Sequence, residues 1–156
     1  MDKIKKILAP TDLSNLSLPG VRYALDLART VEAEVTVYHA IDTDELMRYS
    51  RLGLLDSLIE KYDVALRRFL EVHCSELLPL VEVQTKVELG RPDVNIVEEA
   101  KREGIDLIVI STHGRTGLSH VLVGSVTEKV VRHAPCPVLS IRPQRHEAER
   151  AAVAAS

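Results

Sequence analysis

Apolar positions follow two rhythms along this chain. Short, β-branched runs alternate with longer stretches in which apolar residues recur every three or four positions. That alternation suits βα units, in which each strand joins a parallel sheet and each helix lays one apolar stripe on it. Ile4, Ile7 and Leu8 open the chain as a strand that Pro10 stops. Leu18, Val21, Leu25, Ala28 and Val31 share one helix face, with Ser17 placed to cap it and Pro19 tolerated in the first turn. Residues 34–40 (EVTVYHA) read as the second strand.

Residues 44–78 carry the longest helical pattern, with Leu55, Leu58, Tyr62, Leu66, Phe69 and His73 near a common stripe and Gly53 breaking it near the start. After Pro79, Val81, Val83, Thr85, Val87 and Leu89 alternate with polar residues, the period-two signal of an edge strand with one wet face. Pro92 and Asp93 start a helix that turns Ile96, Val97 and Ala100 inward and ends at Gly104. The run 107–110 (LIVI) is apolar on both faces, as a central parallel strand is. Residues 113–122 read as a loop, 125–134 as a helix ended by Pro135, and 138–141 (VLSI) as a fifth strand. Charge runs such as Glu98-Glu99 and Lys101-Arg102-Glu103 are expected on the solvated side of their helix.

Composition bounds what such a chain can be. Its 156 residues, 46% apolar and 28% charged, suffice for one domain; residues 1–143 form it, and the charged, Ala-rich segment 144–156 reads as a tail. Twenty Lys and Arg against 23 Asp and Glu leave a formal charge of −3, which argues against a nucleic-acid partner gripped through its phosphates. Trp is absent and Phe69 is the single Phe, so no stacking platform for bases is in view. Cys74 and Cys136 form neither a CxxC pair nor a disulfide framework, and no apolar run approaches the roughly 18 residues of a membrane span. A soluble protein of the reducing cytoplasm is the expectation.

The segment after the fourth strand concentrates the chemistry. It reads Ser111-Thr112-His113-Gly114-Arg115-Thr116-Gly117, then six residues, then Gly124-Ser125-Val126-Thr127 at a helix start. Glycines let an anion approach the main chain, converging amides at a helix end grip it, and the Ser125 and Thr127 hydroxyls and Arg115 can add bonds and charge. The same pattern also serves as ordinary turn and cap chemistry. In a doubly wound sheet the loop after the first strand, Ala9-Pro10-Thr11-Asp12, lies across the same crevice. Asp12 there either accepts from a ribose hydroxyl or an adenine amine, or closes an Asx-turn. A dinucleotide fingerprint GxGxxG after the first strand and a P-loop GxxxxGK[ST] are both missing. His113 and His120 lie in or near the loop without a fixed orientation, His39 and His73 read as packing or partly exposed residues, and Cys136 as a small apolar one.

Residues 7–14 (ILAPTDLS) and 106–142 (DLIVISTHGRTGLSHVLVGSVTEKVVRHAPCPVLSIR) resemble the universal stress protein family, and the similarity extends over residues 1–143. The resemblance implies a five-stranded α/β fold of strand order 3-2-1-4-5. Its nucleotide-binding branch carries Gly, two residues, Gly, nine residues, then Gly followed by Ser or Thr. Gly114, the nine residues 115–123 and Gly124-Ser125 match, whereas Ser111 stands where the pattern has Gly. By the same resemblance Pro10, Thr11 and Asp12 would line the adenosine side, Ala40 would meet the adenine through its backbone, and Ile110 would pack near the sugar or base. Residues 111–117 and Ser125, Val126 and Thr127 would hold the phosphates of ATP, with Mg²⁺ or Mn²⁺ between them and no metal ligand from side chains alone. The implied function is a nucleotide-dependent regulatory or stress-response module, homodimeric through the edge of the fifth strand. A slow metal-dependent ATPase or autophosphorylating enzyme, and a dimer that binds no nucleotide, stay open beside it.

Overall fold

The computed structural model describes residues 2–112 and 123–143. Its strands β1 (Lys6–Pro10), β2 (Glu34–Ile41), β3 (Val83–Leu89), β4 (Leu107–Ser111) and β5 (Val138–Ile141) form one sheet. All neighbours pair in parallel and the order is β3-β2-β1-β4-β5, as the resemblance implied. Helices α1 (Leu18–Val31) and α3 (Leu55–Cys74) cover one face, and α4 (Pro92–Glu103) and α5 (Ser125–His133) the other. A short α2 (Thr43–Arg51) joins β2 to α3.

The pleat sorts the core into two layers. Ile7 and Ala9 of β1, Val35 and Val37 of β2 and Val109 of β4 face α1 and α3, while Leu8, Tyr38, Ile108 and Ile110 face α4 and α5. Central strands are apolar on both sides because both sides are covered. Each fully buried side chain of this kind, such as Ile7, Leu8, Leu25 or Ile108, contributes about 1.5–3 kcal/mol.

The long helical pattern divides at residues 52–54, where Gly53 takes φ +68°. Along α3 the buried stripe is Leu58, Leu66, Phe69, Leu70 and Cys74, so it drifts off the expected Tyr62 and His73. Gly104 closes α4 in the left-handed region, with its amide on the Ala100 carbonyl. The tail expected over residues 144–156 lies outside the described residues.

Two local expectations are overturned. Glu99, expected on a solvated face, is 1% exposed, because β3 turns Lys86 and Glu88 toward α4. Lys86 Nζ lies 2.9 Å from its carboxylate and Arg102 pairs with it from the next turn. Lys86 and Glu88 of the edge strand's polar face thus join an ion network, while Gln84 on that face stays exposed. Nor does Ser17 cap α1 through its side chain. Its hydroxyl pairs with Thr11 Oγ1 at 2.7 Å and donates to the Ser14 carbonyl at 2.9 Å. The cap comes from 91 residues later in the chain: Ser111 Oγ accepts the Gly20 N–H at 2.9 Å and donates to the Ser17 carbonyl at 3.1 Å.

Candidate functional site

The carboxyl ends of β1, β2 and β4 open onto a cavity of about 300 Å³. The chain leaves β1 toward one face of the sheet and β4 toward the other, and the divergence of these two connections leaves the crevice. Pro10, Thr11 and Asp12 come to its wall from β1, Ala40 from β2, and Ile110 and Ser111 from β4. Gly124, Ser125, Val126 and Thr127 close it from the start of α5. Thr112 stands outside the wall, with its amide on the Ile141 carbonyl at 2.9 Å and its own carbonyl accepting from Gly124. His113, Gly114, Arg115, Thr116 and Gly117 lie outside the described residues.

Gly124 has φ −64° and ψ 154°, angles open to any residue. Space makes it a glycine: a Cβ there would lie 2.9 Å from the Thr112 carbonyl oxygen. The contact draws the start of α5 against the end of β4. The first bond inside α5 runs from the Glu128 amide to the Gly124 carbonyl at 2.9 Å. The amides of Ser125, Val126 and Thr127 therefore have no acceptor within their own helix, and they sit at its positive end beside the cavity. Such an end binds anions. The Thr127 hydroxyl, expected to donate to a phosphate, donates instead to the Ser111 carbonyl at 2.9 Å, with the residue 4% exposed. What Thr127 offers the cavity is its amide.

Ser111 ends β4 in extended backbone, and the non-glycine residues with positive φ among the described ones are Leu13 and Glu32. Serine at the first position of the glycine pattern therefore carries no left-handed strain. Its hydroxyl is spent on α1. Asp12 realises the Asx-turn, with Oδ1 accepting the Ser14 N–H at 3.0 Å and the Ser14 hydroxyl, and it still lines the cavity. Leu13 beside it is held at φ 66°, its amide on Thr11 Oγ1 at 3.0 Å. A left-handed residue costs about 1–2 kcal/mol, and here the strain sits at the rim of the site.

Several wall residues escaped the sequence reading. Pro92 and Ile96 arrive from the first turns of α4, and with Ile110 and Val126 they make an apolar slot. Tyr38 donates to Glu88 Oε2 at 2.9 Å; burial first, then that carboxylate, push its phenol far above the ordinary range. His39 turns Nδ1 to the Thr11 carbonyl at 2.8 Å and stacks on Tyr62 with ring centroids 5.0 Å apart. In β2 the pattern EVTVYHA marks these positions only as strand, and nothing in it says which strand end faces a ligand.

The sequence model of the Universal stress protein family matches residues 3–142. The chain belongs to the universal stress protein family. Universal stress protein MJ0531 of Methanocaldococcus jannaschii is 33% identical over 146 residues, covering 92% of this chain and 85% of the relative. Among solved structures, MJ0577 superposes with a TM-score of 0.74 at 30% identity, covering 92% of this chain and 99% of that one. UspA from Lactobacillus plantarum follows at 0.73 and 28%, covering 91% and 100%. A universal stress protein solved in complex with cAMP, 20% identical with a TM-score of 0.60 over 90% of this chain and 98% of its own, shares the fold. No helix among the described residues of this stress protein is long and apolar enough to cross a membrane.

Proposed function

We propose that this universal stress protein binds an adenine nucleotide, ATP foremost, and acts as a nucleotide-dependent regulatory module of the cytoplasm. One observation carries the reading: the amides of Ser125, Val126 and Thr127, which have no acceptor within their own helix, border a cavity whose other walls are largely apolar. A phosphate chain answers the first feature and a flat base the second. About 300 Å³ is at the small end of the range for ligand sites. Asp12 and the Ala40 backbone would meet the base and sugar, with Ile110 packing against them. Thr112 and residues 113–117 complete the phosphate loop in this reading. Among the described residues no group of three His, Cys, Asp or Glu side chains is suited to a metal ion. In this reading a bound Mg²⁺ or Mn²⁺ would be held through phosphate oxygens, whose charge it would offset. That a relative of the same fold was solved with cAMP is in keeping with a nucleotide here.

Calorimetric titration with ATP, AMP and GTP, together with identification of any nucleotide released from denatured protein, tests this. One adenine nucleotide per chain is expected, retained as triphosphate for hours. Turnover within minutes would replace the regulatory role by an enzymatic one, and no binding of any of the three would remove the reading. The outer edge of β5, with Val138, Leu139 and Ile141 only half-buried, is proposed as the seam of a homodimer. Sedimentation at micromolar concentration should show twice the chain mass; a monomer would contradict it.

A further inference from the structure

Continuous with the nucleotide cavity lies a second one that shares more than half of its lining with it, Asp12, His39 and Ser125 included. There the first turns of α4 and α5 face each other across three charges. Asp93 lies between Arg91 Nη2 at 2.8 Å and Lys129 Nζ at 3.7 Å. The carboxylate is 12% exposed, its two cations 60% and 52%. Burial works against its charge, yet the Arg91 hydrogen bond and the charges of Arg91 and Lys129 outweigh burial and hold the Asp93 carboxyl below its ordinary value.

The two cations are not equivalent. Arg91 also brings Nε to within 3.4 Å of Asp93, so its fork grips both carboxylate oxygens. Lys129 stands beyond hydrogen-bond reach, in an ion pair that solvent screens. It follows Ser125 by four residues, which puts both on one face of α5, and helical side chains lean toward the N-terminus. Its ammonium is thus carried toward the turn whose amides lack acceptors. Asp93 lines the same cavity as Ser125 and Val126, and Arg91 would keep it paired if Lys129 left.

We propose that Lys129 discriminates nucleoside triphosphates from monophosphates by exchanging Asp93 for the outermost phosphate of a ligand held at the start of α5. The assignment rests on the nucleotide-binding reading above. Titrations of the wild type, Lys129→Met, Lys129→Arg and Asp93→Asn with ATP and with AMP, at one salt concentration, test it. Loss of one charge-assisted hydrogen bond should lower the ATP-to-AMP affinity ratio about tenfold in Lys129→Met. Lys129→Arg should restore most of that ratio, and Asp93→Asn, which removes the competing carboxylate, should raise it. An unchanged ratio in Lys129→Met, with ATP still bound by the wild type, overturns the role of Lys129 and leaves the nucleotide reading standing. A lower ratio in Asp93→Asn would mean that Asp93 positions Lys129, and it overturns the exchange. A wild type that binds neither nucleotide brings down both.

Discussion

Gly20→Ala should destabilise the protein by about 2–5 kcal/mol, although alanine is the better helix former by about 1 kcal/mol. A Cβ at Gly20 would lie 2.8 Å from both Ser111 N and Ser111 Oγ, and 3.2 Å from the Ile110 carbonyl carbon. Two of these atoms are backbone of a fully covered strand and cannot turn aside. Relief requires α1 to lift off β4, which breaks the Gly20 N–H bond to Ser111 Oγ and opens the layer holding Val21, Leu25 and Val109. Overpacking costs about 1–3 kcal/mol and an orphaned buried amide about as much again, so the clash outweighs the propensity gain. Ser111→Ala alone should cost about 1–3 kcal/mol, because it leaves the same amide without an acceptor. The two changes share one contact and should fail to add, by about 0.5–3 kcal/mol. Urea unfolding of the single and double variants measures this. A Gly20→Ala midpoint equal to that of the wild type would mean that the close approach of α1 and β4 is not what glycine is needed for.

That contact also shows where the sequence was legible and where it was not. The run LIVI identified a strand covered on both faces, and the period-two segment before Gly90 identified an edge; both follow from local pattern, and the sheet order came from the family resemblance. Ser17 misled because its residue type and position satisfy the local rule for a cap. The acceptor that wins is Ser111, brought by β4 from far along the chain, and no local pattern encodes it. Glu99 misled for a related reason. On a helix taken alone it belongs to a charge run, and only the approach of Lys86 across the β3 edge buries it. In the candidate site, the glycine pattern located the start of α5, and the APTD segment located the opposite wall. Tyr38, Pro92 and Ile96 could not be read, because a wall residue of this kind looks like any other strand or helix residue until the elements are assembled. Ser111, the one departure from the pattern, counts through its side chain, which fastens the floor of the site to α1.

Gly124→Val should reduce ATP affinity at least about a hundredfold, corresponding to roughly 3 kcal/mol by the relation of affinity to free energy. The added Cβ meets the Thr112 carbonyl oxygen at 2.9 Å, and that oxygen already accepts the Gly124 amide. The start of α5 must back away from β4, carrying the amides of Ser125, Val126 and Thr127 out of line with one another. A grip made of several converging amides is lost together, whereas a grip made of side chains would be lost one bond at a time. Ser125→Ala separates the two cases, because it deletes a hydroxyl and leaves every amide in place; it should weaken ATP by less than about fivefold, the weight of one neutral hydrogen bond. The thermal midpoint should fall as well, since Val130 must shift within its buried layer, while the far-UV spectrum of the sheet and helices persists. Calorimetry on both variants beside the wild type decides the matter. Normal ATP binding by Gly124→Val would take this helix end out of the site. A loss in Ser125→Ala as deep as in Gly124→Val would transfer the grip from main chain to hydroxyl.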